Sequence, residues 1–516
     1  MYKIGIDVGG TNTDAVILDE KLNLIHSVKH PTSEDIESGI RAALHKVLAE
    51  SAIDKAAVTH AMLGTTQCTN AIVERKKLAQ VGVIRLGYPA TASVLPYTAW
   101  PEDMVAALSG QYELAHGGFE YDGSHLSTFS EAEIRSLLEK WAGHVESVAV
   151  VGVFSSLKNE QEYRVKELAE EVLGDQVPVS ISSTIGSVGL IERENATILN
   201  AALFKVMAAT SNGFEKALAE EGITKADVYL CQNDGTLMSL DYAREFPILT
   251  IACGPTNSIR GASYLAGLEN AVVLDVGGTT SDIGVLTGGF PRESSLAVDV
   301  GGVRTNFRMP DIISIGLGGG SIVREQGGEM TIGPDSVGYL ISEKALVFGG
   351  DTLTTTDIAV RLGHAQIGDP EKVAHIDQSF AEKAYQKIAA MTEEAIDKMK
   401  TSAEDVTLVL VGGGSVIIPA ELKGVAEIIR NENGAVANAI GASISQISGQ
   451  YEQIYIYSQK PRDEALRDAE MKARRQAILA GAIERTIEVV EVEEIPLAYH
   501  PDNATRLRVK VVGNLV

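Results

Sequence analysis

One eight-residue motif occurs twice in this chain, about half the chain length apart. Asp7-Val8-Gly9-Gly10-Thr11-Asn12-Thr13-Asp14 returns as Asp275-Val276-Gly277-Gly278-Thr279-Thr280-Ser281-Asp282, an offset of 275 − 7 = 268 within 516 residues. The first five positions and the last are identical in the two copies. Each copy ends an apolar, β-branched run (IGIDVGG, VVLDVGG) and leads into a second such run (AVILDE, IGVLTGG). That pattern predicts the turn of a β-hairpin. A repeat at this spacing predicts two related domains facing each other, each offering one glycine turn to a shared cleft.

The 50 glycines are clustered rather than spread as linker. Two more runs follow apolar stretches, ISIGLGGGS over 313–321 and LVLVGGGS over 408–415. Helix-patterned segments lie between the runs, at 34–50, 130–141, 160–173, 197–219, 379–400 and 464–485. Strands alternating with amphipathic helices predict an α/β fold. At ~150 residues per domain the length allows two to four domains. The repeat favours two lobes, over 1–190 and 191–516, the first carrying the first glycine turn and the second carrying the other two.

Charge narrows the choice of partner. Lys and Arg number 44 against 69 Asp and Glu, a net charge of −25. So acidic a surface repels phosphate backbones and anionic lipid, which argues against nucleic acid or a membrane as the main partner. The N-terminus has no basic segment followed by an apolar one, and no run of 18 apolar residues occurs, so a cytoplasmic protein is expected. Cys68, Cys231 and Cys253 match no disulfide or metal spacing.

A D-x-G-G-T-x-[TS]-D turn presents backbone N–H groups without Cβ obstruction, and its hydroxyls add donors. Such a surface suits the β- and γ-phosphates of a nucleotide. An acid at the strand end cannot bind phosphate directly, but it can hold a hydrated Mg²⁺ or orient an attacking group. Two turns from opposite lobes would grip a triphosphate from both sides. Gly412-Gly413-Gly414 after a buried strand would let the backbone approach a flat group such as adenosine, though alone it could be a plain strand-to-helix turn.

Two phosphate turns followed by an adenosine turn, in this order, resemble the actin, sugar-kinase and Hsp70 ATPase superfamily. More narrowly, the chain resembles the hydantoinase A/oxoprolinase family. The residues that carry the likeness are GIDVGGTNTD (5–14), LGTTQCTNAIVER (63–75), IERENATILNA (191–201), CQNDGTLMS (231–239), CGPTNSIRGA (253–262), LDVGGTTSDIG (274–284), GLGGGS (316–321) and TTTDIAVRLG (354–363). The resemblance implies a two-lobed actin-like ATPase with duplicated ribonuclease H-like domains around a nucleotide cleft. It also implies ATP- and Mg²⁺-dependent hydrolysis of a cyclic amide, in which phosphorylation makes the carbonyl oxygen a leaving group.

On that resemblance Gly9, Gly10, Thr11, Asn12 and Thr13 form the first phosphate turn, Gly277, Gly278, Thr279 and Thr280 the second, and Gly412, Gly413 and Gly414 pack on adenosine. Asp7 and Asp275 are the Mg²⁺ candidates, and Asp282 joins them as a catalytic candidate. Asp14 and Asp282 could instead close their hairpins. Thr65, Thr66, Asn70, Arg193 and Asp234 are the substrate candidates, against helix capping for the first three and an ion pair for Arg193. Asp357 could point toward the second turn or serve a helix N-terminus.

The chain also departs from the family. Leu63 stands where many relatives have histidine, and Cys253-Gly254-Pro255-Thr256-Asn257-Ser258 stands where Ser-Gly-Pro-Ala-Gly-Gly is frequent. Asn12 replaces a frequent aromatic residue. Cys253 has no histidine nearby in sequence, so a buried small residue is favoured over a nucleophile. The family's further C-terminal domain is expected to be missing, and a hydantoinase B-type or other partner subunit and an oligomer are expected. The rival readings are a small-molecule kinase with Asp275 or Asp282 as base, a carboxylase subunit, and an ATP-driven activator of a partner enzyme.

Overall fold

The computed structural model describes residues 1–9, 12–31, 36–186, 188–294, 298–444, 446–497 and 504–515. The first motif copy joins β1 (Tyr2–Val8) to β2 (Asn12–Asp19) in an antiparallel hairpin, followed by β3 (Leu24–Pro31), β4 (Val58–Thr65) and β5 (Asp227–Cys231). Their order is β3-β2-β1-β4-β5, with β1 parallel to β4 and β4 parallel to β5. The second copy joins β6 (Ala271–Val276) to β7 (Ser281–Thr287), followed by β8 (Ile312–Ile315), β9 (Val406–Val411) and β10 (Val425–Arg430). The order is again third-second-first-fourth-fifth, with the same strand directions. The repeat in sequence is therefore a repeat of topology.

Helices cover both faces of each sheet, so the central strands read as apolar runs rather than alternating ones. Ile4, Ile6 and Val8 of β1 and Val273, Leu274 and Val276 of β6 are all buried. The six helix-patterned segments are all helical, at Ile36–Ser51, Glu131–Trp141, Glu160–Leu173, Leu190–Glu220, Gln378–Met399 and Arg462–Leu479.

The division expected at residue 190 does not follow the sheets. The first lobe's sheet continues from β5 through Leu237–Ser239, Ile447–Ile456, Ala504–Gly513 and Glu488–Pro496 to nine strands. The second lobe's sheet lies wholly between residues 271 and 430. Strand pairing decides membership: the buried strand Ile447–Ile456 satisfies its backbone on the open edge of the first sheet. A separate parallel four-stranded sheet, Gln111–His116, Val81–Tyr88, Ser147–Gly152 and Val179–Ile181, forms a small domain within the first lobe.

Two helices join the lobes. Cys253–Ala266 leads from the first lobe into β6, and Ala437–Ile444 leads back from β10. They pack closely on each other through Gly261, Ala437 and Gly441. Among the described residues no helix is long and apolar enough to cross a membrane.

Candidate functional site at the cleft

Both motif copies open onto one cavity of about 700 Å³ between the lobes. That is the size of a nucleotide-class site. The two hairpins are built alike at their tips: Gly9 N–H donates to Asn12 O at 3.0 Å, and Gly277 N–H to Thr280 O at 2.9 Å. The first and last acids of each motif face each other across the hairpin, Asp7 opposite Asp14 and Asp275 opposite Asp282. All four line the cavity.

Each acid is held by at least one donor, and one asparagine serves two of them. Asn257 Nδ2 donates to Asp7 Oδ1 at 2.9 Å, and Asn438 Nδ2 donates to both Asp7 Oδ2 and Asp14 Oδ2 at 3.0 Å. Lys29 Nζ lies 2.9 Å from Asp14 Oδ1. Ser258 Oγ donates to Asp275 Oδ2 at 2.5 Å, and Ser314 Oγ donates to Asp282. Burial pushes the Asp7 carboxyl up to about 6, against the two asparagine bonds, with Asp14 and Asp275 adding repulsion. Burial also pushes Asp282 up to about 6, with Asp275 adding to it. Asp14 and Asp275 are raised by burial too, each partly restrained by Lys29.

Two glycines let the acids sit where they do. At the end of β4, a Cβ on Gly64 would lie 2.1 Å from Asp7 Oδ1 and 2.4 Å from Asn257 Nδ2. After β9, Gly412 has φ +89°, and a Cβ there would lie 2.3 Å from Asp275 Oδ1. Each lobe thus seats its motif acid against a glycine at the end of the parallel neighbouring strand or just past it, where any side chain would evict the carboxylate.

The rest of the wall supplies donors. Thr65, Thr66 and Thr69 line the cavity beside Cys253, Gly254 and Pro255, the first turn of the helix Cys253–Ala266. The N–H groups of that turn and its dipole favour an anion. Lys29 is the one cation among the described lining residues. Four hard carboxylates raised by burial, with one lysine beside them, fit a divalent cation and a phosphate-bearing ligand. Among the described residues no three His, Cys, Asp or Glu side chains form a ready-made metal cage. A bound Mg²⁺ would therefore take most of its ligands from water and phosphate oxygens, as Mg²⁺ commonly does.

Of the residues singled out from sequence, Asp7, Gly9, Asn12, Thr65, Thr66, Asp275, Gly277, Gly278, Thr279, Thr280, Asp282, Gly412 and Gly413 line the cavity. Gly10 and Thr11 lie outside the described residues. Thr13 is buried in β2 opposite Val8, and Gly414 packs on the second turn, its N–H donating to Val276 O at 2.8 Å. Asn70 sits one helical turn beyond Thr66, donating to Thr66 Oγ1 at 3.3 Å.

Arg193 and Asp234 are not among the lining residues. Arg193 is buried and donates to Gly152 O at 2.7 Å and Ser182 Oγ at 3.1 Å, tying the small domain to the helix Leu190–Glu220. Asp234 pairs with Lys510 at 3.0 Å and bonds Thr236 and Ser448. Lys510 is the largest favourable influence on Asp234 and, together with those hydrogen bonds, holds its carboxyl below the usual range despite burial. Asp357 caps its own helix and accepts from Val347 N at 2.8 Å. Cys253 is buried with its thiol pushed up to about 12 by desolvation, which removes it as a nucleophile at neutral pH.

The sequence reading missed Lys29, Asn257, Ser258, Ser314 and Asn438 as partners of the acids, and Gly434 and Ala435 beside the third glycine turn. Asn257 and Ser258 had a signal, since they fall where the family often has glycines. Asn438 had none.

Comparison with known proteins places this architecture. The hydantoinase/oxoprolinase N-terminal region matches residues 3–173, and the hydantoinase/oxoprolinase model matches residues 193–399. Caprolactamase subunit alpha of Pseudomonas jessenii is 27% identical over 71% of this chain and 55% of its own length. The acetone carboxylase beta subunit of Xanthobacter autotrophicus is 26% identical over 70% and 54%. The chain thus spans about half the length of these curated relatives. Among solved structures, the ATP-dependent caprolactamase of P. jessenii superposes with a TM-score of 0.80 at 19% identity, over 100% of this chain and 88% of its own. Nucleotide-free acetone carboxylase superposes at 0.69 and 18%, over 99% and 88%. At these identities the likeness is one of fold. Two family models in order along the chain, on a fold shared with these enzymes, lead to one assignment: the chain belongs to the hydantoinase/oxoprolinase family.

Proposed function

We propose that the chain is the ATP-binding subunit of an enzyme that opens a cyclic amide such as a hydantoin, a lactam or oxoproline. The observation that carries this reading is the pair of like hairpins facing one cavity, with their four carboxylates and, among the described lining residues, a single lysine from β3. The names of the relatives, an ATP-dependent caprolactamase among them, support ATP as the nucleotide and a cyclic amide as its companion.

On this reading the first turn, Gly9 to Asn12, and the second, Gly277, Gly278, Thr279 and Thr280, hold the phosphates from two sides, with Thr13 buried behind the first. Gly412 and Gly413 lie along the adenosine, and Gly414 fixes their turn. Asp7 and Asp275 would hold Mg²⁺ through water. ATP supplies a phosphoryl group that makes the amide oxygen a leaving group, which amide resonance otherwise prevents. Asn257, Ser258 and Asn438 hold the acids at fixed positions before ligand arrives. Asp282, with its carboxyl near 6, is the group suited to move a proton at the reacting oxygen. Thr65 and Thr66, with Asn70 bracing Thr66, present hydroxyls to the amide. A hydantoinase B-type or similar partner subunit, in a cytoplasmic oligomer, completes the enzyme.

The test is phosphate release from Mg·ATP with a panel of hydantoins, lactams, oxoproline and sugars, with and without the product of a neighbouring gene. Substrate-stimulated release together with ring-opened product supports the proposal. A stable phosphorylated product would sink it in favour of a kinase, for which Asp282 would be the base. Turnover stimulated only by a partner protein would point to an activator, and bicarbonate-dependent carboxylation to a carboxylase subunit.

A further inference from the structure

Three side chains that the cleft does not use converge on one segment of chain. Arg75, Asn195 and Asn233 come from three segments that carry the family likeness, 63–75, 191–201 and 231–239, and none of them lines the cleft. Each donates to a backbone carbonyl in the run 298–311, which lies between β7 and β8 of the second lobe. Arg75 Nη2 reaches Gly301 O at 2.7 Å, Asn195 Nδ2 reaches Arg304 O at 2.8 Å, and Asn233 Nδ2 reaches Arg308 O at 3.1 Å. The run opens as a ribbon, Val298–Val300 against Val303–Thr305, and leads into β8. Its Val300, Val303 and Phe307 are buried in the first lobe's core, with Cys68 and Ile72 of the helix Gln67–Glu74. It is therefore a further crossing between the lobes, apart from the two helices. Apolar burial holds it there without direction, and the three hydrogen bonds fix its register.

Both ends of this arrangement reach the cleft. The helix Gln67–Glu74 has eight residues and is about 12 Å long. Thr66 and Thr69 at its start line the cavity, and Arg75 follows its last residue. Arg75 also donates to Ile72 O in the last turn and pairs with Asp103 at 3.2 Å, so it clamps the helix end to the run. Nothing larger than glycine fits against the clamp: Gly301 has φ +61°, and a Cβ there would lie 2.5 Å from Ile72 Cγ2 and 2.9 Å from Arg75 Nη1. At the run's other end β8 pairs with β7, and Ser314 donates to Asp282. We propose that Arg75 and Asn233 are positioning residues that, with Asn195, fasten the run 298–311 as a strap. The strap sets Thr66 and Thr69 on one wall of the cleft against Asp282 on the other. Its effect on turnover rests on the cyclic-amide reading, whereas the mechanical link does not.

The test uses the full chain and two readouts, amide hydrogen exchange and phosphate release from Mg·ATP. Arg75→Met and Gly301→Ala should each speed exchange over 67–74 and 298–305 by about tenfold, with the β1–β2 hairpin at the parent rate. Asn233→Leu should loosen the strap from its other end, over 306–315. With a cyclic amide that stimulates the parent, all three should lower kcat about tenfold or more and leave the KM for ATP within about threefold. Arg75→Lys, which keeps a cation but not the planar fork, should recover part of the loss. Parent-rate exchange in Arg75→Met and Gly301→Ala would overturn the strap. So would faster exchange at unchanged kcat, the mark of a contact that supports the fold alone. A parent chain without amide-stimulated release would overturn the cyclic-amide reading instead, and exchange would then decide the strap by itself.

Discussion

Asn257 and Ser258, neighbours on one helix, hold the motif acids of opposite lobes: the first donates to Asp7 at 2.9 Å and the second to Asp275 at 2.5 Å. Both bonds favour the ionised carboxylate, working against desolvation. Removing either donor raises the pKa of its acid. Asn257→Ala should therefore shift the acid limb of the ATP-turnover profile upward by roughly one pH unit, and Ser258→Ala should do the same through Asp275. Turnover against pH for the three proteins checks this. An unmoved acid limb in both variants would mean that neither donor sets the ionisation of its acid.

The raised acids also make stability depend on pH. A carboxyl at about 6 in the folded chain, against an ordinary 3.8, binds more protons folded than unfolded between those values. Stability of the ligand-free protein should fall as pH rises from about 4 to about 6 and level off above. Asp7→Asn removes that cost, so it should stabilise the ligand-free protein at pH 8 by on the order of 1–3 kcal/mol and have no effect at pH 4. Urea denaturation at both pH values measures it. Mg²⁺ should bind progressively more tightly as pH rises through 6.

Lys29 reaches from β3 to Asp14 and is the one described cation lining the cleft. Its Nζ also lies 4.0 Å from where a Cβ on Gly413 would stand, on the other lobe. Lys29→Ala should raise the KM for ATP by about tenfold or more, and Lys29→Arg should restore part of it. Steady-state kinetics at several salt concentrations reads the effect, which should shrink as salt screens the charge.

Gly64→Ala and Gly412→Ala push a methyl into the carboxylates of Asp7 and Asp275 respectively. Each should lower turnover by roughly two orders of magnitude, the scale expected for displacing a positioned group by 1 Å. Circular dichroism and turnover together separate this outcome from unfolding. Equal activity in either variant would show that the carboxylate has room to move.

Arg193→Met should behave in the opposite way. Its guanidinium is buried, with desolvation lowering its pKa and Glu162 and Glu194 opposing. Breaking such a buried charge arrangement costs about 3–5 kcal/mol. Thermal unfolding should show that loss, while the KM values of the folded fraction stay at the parent level.

The duplicated architecture was legible in the sequence because the motif copies are long and follow buried strands. The six amphipathic helices were legible for the ordinary reason, an apolar stripe of helical period. The two helices between the lobes were not. Cys253–Ala266 and Ala437–Ile444 carry Gly, Ser, Asn and Pro, residues of turns, because they pack on each other through small side chains rather than through a stripe. Asn257, Ser258 and Asn438 sit on them, so the donors that hold the acids were hidden with them. Arg193 and Asp234 misled for a related reason. Arg193 spends its guanidinium on Gly152 O and Ser182 Oγ and Asp234 its carboxylate on Lys510, partners that only the fold shows.

Asn438, which bridges Asp7 and Asp14, follows Asp7 by 431 residues. The strands that extend the first lobe's sheet to its far edge come later still. At ribosomal rates of roughly 5–20 residues per second, the first hairpin waits about twenty seconds to a minute and a half for that asparagine. During synthesis the chain therefore carries two acids with no shared donor and a sheet with an open edge. The cleft therefore gains its full lining, and a nucleotide its full set of contacts, only after residue 438 has been made.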